Sequence, residues 1–556
     1  MINRKAFLTN AIEEGFKNDV SGYPLVLKHS KGRKLIDYKI YGNSVQNGTP
    51  TPDSPVEIES VGDRTVNLID YHNLSSTTNK GITYTNNNDG SFTANGTLIG
   101  TLSVYSFEVP SLEKGVTYYT SCGQDLAEKN RRYYLFLIIK NTSTNTVRYH
   151  SSSAVNKTFI LAENEEVTVL EIRINDSTAS SITVDNVIFK PIICKNEEYK
   201  EYEPYGYKIP VTVSGKNMWT TNITYPVTSL GHELINYDSA TQIFTLNEAY
   251  NGKSQSIYKL KNPIPAGTKV TVYMYVLEGN IDGTIVFGGY HNGDDNKSWQ
   301  GAINLSENRN EDLSGKVFKN TYVTTNTVTD FWTFLNMGYQ INSSLKFKMM
   351  YVIGDDESND FEPYQEPVIT NIYLDEPLRK VGDYADYIDF ENQKVVRNIY
   401  KYDLTGNETG WIDRDLSYNS YGIVFGNGHL LEKPANFQYK NAFCNYFTYG
   451  SIASAKGVFS FANSSTDWQF NISDGQLGIS KDEEKSVRLQ KWLEWLQTNY
   501  SNGNPVSMYY VLEEEIPENI ELPNIPTLKY ANTITTDTTV EASNMNVSYK
   551  SFEKGE

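Results

Sequence analysis

Cysteine is nearly absent from this 556-residue chain: three occur, Cys122, Cys194 and Cys444, odd in number and far apart. Such spacing supports neither a disulfide framework nor a thiolate metal site, and all three are expected as small buried residues. Histidine is also scarce, and the six (His29, His72, His150, His232, His291, His429) include no pair at ligand spacing. No stretch approaches the roughly 18 apolar residues of a membrane-spanning helix. The opening "MINRKAFLTNAIEEGFKNDV" lacks the apolar run of a signal peptide, so the expectation is synthesis in a cytoplasm without standard export. Basic residues are in deficit, 49 against 67 acidic ones for a net charge of −18. A phosphate backbone or an anionic bilayer would be repelled, which excludes nucleic acid and membrane as main partners.

Catalytic motifs are missing as well. There is no G-x-S-x-G and no H-E-x-x-H, and "SGKN" at 214–217 lacks the upstream glycine of a phosphate loop. "TNNNDGSF" has a superficial likeness to a calcium loop. Placing Gly90 sixth would put Thr85 first and Gly96 twelfth, so the first ligand and the final glutamate are both wanting; the segment is read as a hairpin turn. Close carboxylates such as "DRD" (413–415) and "GDD" (293–295) carry no information in a chain this acidic. No catalytic residue, metal or cofactor is expected.

What is abundant is aromatic: 41 Tyr, 23 Phe and 7 Trp. Together with many β-branched residues they predict strands, and tyrosine also suits wet contact surfaces. Short alternating runs split by turn residues recur along the chain, among them "RYYLFLIIK", "KTFILAENEEVTVLEIRI" and "KVTVYMYVL". A segment from "RTVNLIDY" at Arg64 to "EYEPY" at Tyr205 is echoed by one from "SGKNMWTT" at Ser214 to "DFEPY" at Tyr364. That period is domain-sized, and about seven strands per repeat argue a two-sheet sandwich. The predicted fold is mainly β: tandem jelly-roll-like β-sandwiches with a short N-terminal helix and one C-terminal helix. The division is 1–63 (helix near 3–17, a hairpin over 23–45, and a stiff proline strap carrying Pro50, Pro52 and Pro55, read as a tether), 64–210 (first sandwich), 211–366 (second sandwich) and 367–556 (a β-rich unit). In the last, a helix over 481–500 opens on a Ser480–Glu483 capping box, with Trp492 and Trp495 packing inward, and a pair of threonine-rich strands closes the chain. Trp219, Trp332, Trp411 and Trp468 are assigned to cores.

The phrases "YGNSVQNGTPTPDSPVEIESVG", "NLID", "FEPYQEP", "LDEPLRKVGDYADYIDFENQKVVR" and "TITTDTTVEASNMNVSYKS" closely resemble minor structural and tail proteins of phages and prophages of low-GC Gram-positive bacteria. The similarity covers nearly the whole chain after about residue 33. It implies a virion protein of a tail, baseplate or fibre, released by lysis. The modules it implies resemble carbohydrate-binding jelly rolls, and the partners it implies are other virion proteins, further copies of the chain (a trimer by analogy) and host cell-wall polysaccharide or teichoic acid. Two alternatives stay open: a purely architectural virion component, and a polysaccharide depolymerase.

For a sugar-binding surface the useful signature is an exposed aromatic beside amides and carboxylates. The loop "GGYHNGDDNKSWQG" (288–301) carries it, with Tyr290, His291, Asp294, Asp295 and Trp299 as candidate glycan ligands; the competing reading is a polar loop whose Trp299 tucks into the core.

Overall fold

The computed structural model describes residues 27–29, 35–123, 127–128, 131–152, 157–176, 182–215, 217, 235–246, 254–264, 266–279, 285–290, 299–304, 311–325, 327–335, 345–353, 360–390, 392–414, 422–427, 442–449, 460–463, 468–520, 522–523, 532–536 and 547–551. The fold is mainly β, and the described strands pair antiparallel except Thr448–Tyr449 with Ser460–Asn463, which run parallel. The helix expected over 3–17 lies outside the described residues.

Both repeats are sandwiches of the same plan. In the first, one sheet runs Val147–Ser152, Arg131–Asn141, Glu165–Asp176, Leu102–Phe107. In the second, the matching order is Trp299–Asn304, Ile285–Tyr290, Val328–Leu335, Ser254–Ile264. The opposing sheets correspond as well. Phe92 pairs with Phe189 across the first, and Phe244 with Phe347 across the second, where the two rings stack at 5.1 Å. The alternation of Tyr133, Leu135, Leu137 and Ile139 with less buried neighbours seats one face of Arg131–Asn141 in a core with Tyr84, Phe92 and Ile172. The "NNNDG" turn joins Ile82–Asn86 to Phe92–Thr97, with Gly90 at φ +81°. Asp89 Oδ1 accepts from Ser91 N (2.8 Å) and Ser91 Oγ (2.6 Å), so its carboxylate serves the turn.

The repeated opening asparagine explains how each sandwich closes. Asn67 Nδ2 donates to the Pro191 carbonyl (3.0 Å), and its Oδ1 accepts from Ile193 N (3.3 Å) and Ile69 N (3.1 Å). Asn217 does the same one repeat on: Nδ2 donates to the Met349 carbonyl (3.4 Å) and Oδ1 accepts from Tyr351 N (3.1 Å). Each carboxamide thus ties the start of its module to the last strand, at positions i and i+2. Both are buried, at 2% and 1% exposure, where an unpaired backbone group costs about 1–3 kcal/mol. The closing motif returns over the outside of that strand. Lys190 sits 5.6 Å over the Tyr202 ring, and Lys348 4.7 Å over Phe361, the matching pair. Ile192 and Cys194 of the first module, like Met350 and Val352 of the second, are covered by these returning aromatics.

The strands flanking the modules pair with one another. Tyr207–Gly215, which leaves the first module, runs antiparallel to Val368–Leu374, which leaves the second. Asp63–Arg64, leading into the first module, pairs with Lys208 and Tyr207. Three expectations are corrected here. Leu27–His29 and Leu35–Tyr41 do not form a hairpin: the former pairs with Asn532–Thr536, the latter with Tyr387–Asp389 and Val547–Ser551. The two threonine-rich strands consequently join different sheets rather than each other, because each completes pairing offered by the N-terminal region. The proline strap is no linear spacer. Ser44–Gln46 pairs with Ile58–Ser60, and Thr51 and Ser54 exchange backbone hydrogen bonds (3.1 and 3.2 Å) around Pro52–Asp53, where proline presets the turn. The loop then docks on the C-terminal unit through Val56 N to Asn445 O (2.8 Å) and Gln46 Nε2 to Cys444 O (2.9 Å).

The phrase "LDEPLRKVGDYADYIDFENQKVVR" builds a buried polar hub beside this sheet. Asp386, 0% exposed, accepts from the backbone N–H groups of Asn398 (2.7 Å), Ile399 (2.9 Å) and Arg379 (3.0 Å). Arg397 lies 3.5 Å from the same carboxylate and donates to the Pro377 and Glu376 carbonyls. Gly42 crosses so close that a Cβ there would meet the Arg379 carbonyl oxygen at 2.5 Å. The C-terminal unit wraps the helix Lys485–Ser501 against a core containing Trp411 and Trp468. Trp492 is fully buried and stacks on Phe425 at 4.9 Å. The helix starts later than the capping box predicts. Ser480 and Glu483 do bond reciprocally, N to Oε2 and N to O, each at 3.2 Å, but they close a separate turn. The carbonyls of Lys481 and Glu483 accept from buried Arg488, which pairs with Asp413 at 2.6 Å, and the first helical turn begins beyond them at Lys485. All three cysteines are buried, as the sequence predicts, and burial pushes the Cys194 and Cys444 thiols up to about 12.

His72 joins the first module to the segment after Val368–Leu374. Its Nδ1 is 2.7 Å from Asp70 Oδ1 and its Nε2 is 2.7 Å from Asp375 Oδ1, with the Tyr71 and Tyr205 rings packed beside it. Burial opposes the imidazolium, but Asp375 and then Asp70 outweigh it, and the pKa is raised. The folded value exceeds the unfolded one. This stabilisation is therefore fully present below about pH 6.5 and is lost as pH rises through the raised value. His72→Gln is expected to remove that alkaline loss, read as a flatter dependence of Tm on pH above about 6.5; an unchanged slope contradicts the assignment. For the closure, Asn67→Asp keeps the size and the acceptor but cannot donate to Pro191 O. It is expected to lower stability by about 1–3 kcal/mol, measured by denaturant unfolding, with Asn217→Asp doing likewise in the second module.

Candidate functional site

A sheet with one face on a core ordinarily turns polar side chains to solvent. The sheet Val147–Ser152, Arg131–Asn141, Glu165–Asp176, Leu102–Phe107 breaks that rule. Its core face takes Leu135, Leu137, Leu170 and Ile172. By register its other face carries Tyr149, Ile138 and Val169 in one row, Ser151, Phe136, Glu171 and Ser106 in the next, and Tyr134, Arg173 and Val104 in the third. These rows run in unbroken register up to Ile138, where a β-bulge before Ile139 ends it.

The three rings form one assembly. Phe136 stacks on Tyr149 with centroids 5.7 Å apart and rings 27° from parallel, and meets Tyr134 edge-on at 6.1 Å. The Arg173 guanidinium lies 3.3 Å from the Phe136 centroid. Arg173 Nε donates to Glu171 Oε2 at 2.8 Å, and Ser106 Oγ donates to Glu171 Oε1 at 3.4 Å. Phe136 is thus a buttress, and Tyr149, 67% exposed, is the ring it presents to solvent. Large exposed rings fixed by a neighbour and ringed by hydrogen-bonding groups can stack on an apolar ligand face while polar neighbours engage its hydroxyls. Two pairs of opposite charge lie on this face: Arg173 beside Glu171, and Lys140 opposite Glu166 in register. Beneath the edge, His150 Nε2 contacts Thr120 Oγ1 at 2.8 Å; burial, then Lys157 and Arg148, push its pKa down to about 4. That imidazole packs the sheet as a neutral ring.

Of the residues singled out in sequence, Tyr290 and Trp299 end the strands Ile285–Tyr290 and Trp299–Asn304 and face each other in register. His291, Asp294 and Asp295 lie outside the described residues. Trp411 and Trp468 are core residues, 8% and 4% exposed, as predicted. The sequence reading passed over Tyr134, Phe136 and Tyr149. A usable signal was present: "RYYLFLIIK" is aromatic or aliphatic at both alternating sets of positions, more than a half-buried strand needs.

No family model matches the chain, and no curated protein matches it. Among solved structures, the N-terminal CBM22-1-CBM22-2 tandem domain from Paenibacillus barcinonensis Xyn10C is similar over 52% of this chain and 98% of that one, at 9% identity and a TM-score of 0.21. A structure of infectious bursal disease virus, Gx strain, is similar over 64% of this chain and 79% of that one, at 10% identity and a TM-score of 0.12. Neither likeness, at such scores, carries an argument about ligand or role.

Proposed function

We propose that this chain is a non-enzymatic glycan-binding protein of a phage tail, baseplate or fibre, and that the outer face of the first module grips host cell-wall polysaccharide. The observation that carries the binding reading is Tyr149, 67% exposed yet held by stacking on Phe136 beside the Arg173–Glu171 pair. Nothing in the core of the module requires an aromatic there. The net charge of −18 on the chain favours an uncharged glycan over a phosphate-bearing teichoic acid. The place on a virion rests on the phrases quoted above, as does association with further copies, a trimer being the form they favour. Weak single sites would then act together through copy number.

A second reading has its own support. Val147 and Ile160, 50% and 51% exposed, lie on neighbouring edge strands of the same module and suit contact with another protein. This is the architectural role, with no host ligand.

Isolated host wall, before and after teichoic acid removal, separates the two. Binding that survives the removal and falls about tenfold or more in Tyr149→Ala, the equivalent of about 1.4 kcal/mol, supports the glycan reading. Binding no better than to an irrelevant surface, or equal in wild type and variant, sinks it. Since Tyr149 is exposed, its Tm is expected to stay at the wild-type value, so that lost binding reads as lost contact.

A further inference from the structure

We propose that His72 and Asp375 form a proton-dependent clasp that seats the first module on the unit after 367, and that loss of the proton lets the module swing about its two-strand attachment, whatever ligand that module binds. The module is tied to that unit at a pivot and at this clasp, and the clasp is the tie that changes charge near neutral pH.

The pivot is narrow. Asp63–Arg64 pairs with Lys208 and Tyr207, and Thr65 N donates to the Gly206 carbonyl (3.0 Å). The Arg64 guanidinium lies 4.2 Å from the Tyr205 centroid and 5.1 Å from that of Tyr207. Gly206 runs so close to the Leu374 carbonyl that any side chain there would collide with it. Backbone bonds and an arginine over aromatic rings keep their character across neutral pH. The clasp stands one residue beyond this contact, at Asp375.

Its geometry demands a proton. Asp70 Oδ1 lies 2.7 Å from His72 Nδ1 and also accepts from His72 N (2.9 Å), so the module's own loop sets the ring. Nε2 is left facing Asp375 Oδ1 at 2.7 Å. A neutral imidazole carries one N–H and one lone pair. Either neutral tautomer therefore points a lone pair at a carboxylate, and the imidazolium alone satisfies both. Deprotonation turns one attraction into a repulsion. Tyr71 Oη, which donates to Asp375 Oδ1 at 3.4 Å, is a weaker second contact; burial, then Asp375, raise its pKa, so it stays a donor throughout.

The charges around the ring fix the sign. Asp70 comes from its own loop and Asp375 from the opposite side, with Arg397 acting on Asp375 from behind, Asp89 acting on Tyr71, and Arg64 beyond the Tyr205 ring. Burial lowers the proton affinity of His72, and Asp375, ahead of Asp70, more than reverses this. The rings packed beside the imidazole, Tyr71 and Tyr205, belong to the module and travel with it. A swing therefore removes Asp375 and leaves Asp70 in place. The seated form binds the proton more tightly, so seating is favoured at low pH and fades as pH rises through the raised value. A ratio of about tenfold in proton affinity between the two forms shifts their populations by the same tenfold. The Asp375 side chain is 65% exposed, so water and salt screen the pair and the seat can open.

The test is a spin-label distance across the joint in the full chain, between Ser143→Cys on the module and Asp383→Cys on the unit after 367, both at exposed turns. The native cysteines are buried and leave the new thiols to react. One narrow distance is expected at about pH 6, and a second, broad population grown about fivefold or more at about pH 9, reversible on acidification. His150, whose pKa burial pushes down to about 4, does not titrate in that range. His72→Gln and Asp375→Asn should each abolish the pH step. Asp70→Asn should keep it and move its midpoint down, because Asp70 stays with the ring in both forms. Asp375 is exposed, so its variant reads the clasp even where His72→Gln proves unstable. Identical wild-type distributions at both pH values overturn the proposal. So does a step that persists undiminished in Asp375→Asn.

Discussion

Two buried carboxamides hold the architecture together. Asn67 and Asn217 each pair with a carbonyl and an N–H two residues apart on the last strand of their module, as another strand would. A side chain can do this in one residue, where a strand would need several. The lead-in to each sandwich is thereby fixed to its last strand, and chain positions 126 and 134 residues apart are brought side by side in the two modules. Closing a loop of that length costs only slowly growing entropy, about 0.6 kcal/mol per doubling, so a few well-buried bonds suffice to offset the lengthening.

Once the ends meet, the flanking strands can pair. Tyr207–Gly215 with Val368–Leu374 is the result, and the hub built around Asp386 stands next to it. A carboxylate that is fully buried must find compensation for leaving water. Asp386 has three backbone donors and Arg397, and burial still leads the opposing influences and raises its pKa. The hub gathers Gly42, Arg379, Arg397 and the Asp386 strand from positions scattered over the sequence, which makes it a meeting point for the N-terminal region and the unit after 367.

Local chemistry was legible in the sequence, and distant pairing was not. The hairpin at Asn86–Phe92 follows from glycine and asparagine turn chemistry, and the helix around Trp492 follows from apolar spacing at Leu489, Leu493 and Leu496. The repeat was visible because the asparagine and the returning Glu-Pro-Tyr segment serve closure in both modules. The N-terminal strands misled because strand-like text does not say which strand it will meet: Leu35–Tyr41 finds its partners some 350 and 510 residues away. The proline strap misled in another way, since proline at the second position of a turn and proline in an extended spacer look alike without the partner residues. The aromatic face escaped notice because attention went to a polar loop; strands with two apolar faces read as core until a register shows which face lies opposite it.

Asp63–Arg64 lies against Tyr207–Lys208, so the first sandwich starts and finishes at one spot on the chain. Everything between hangs from that spot, with Tyr71 and His72 against Asp375 as a further tie. Recombination that exchanged the coding segment between those points would deliver a new head onto the same stem, provided the newcomer's ends also meet and Asp375 finds a new partner. Gene shuffling can in this way change what the molecule touches without renegotiating how it folds, and the two related sandwiches are the trace that one duplication of such a segment would leave.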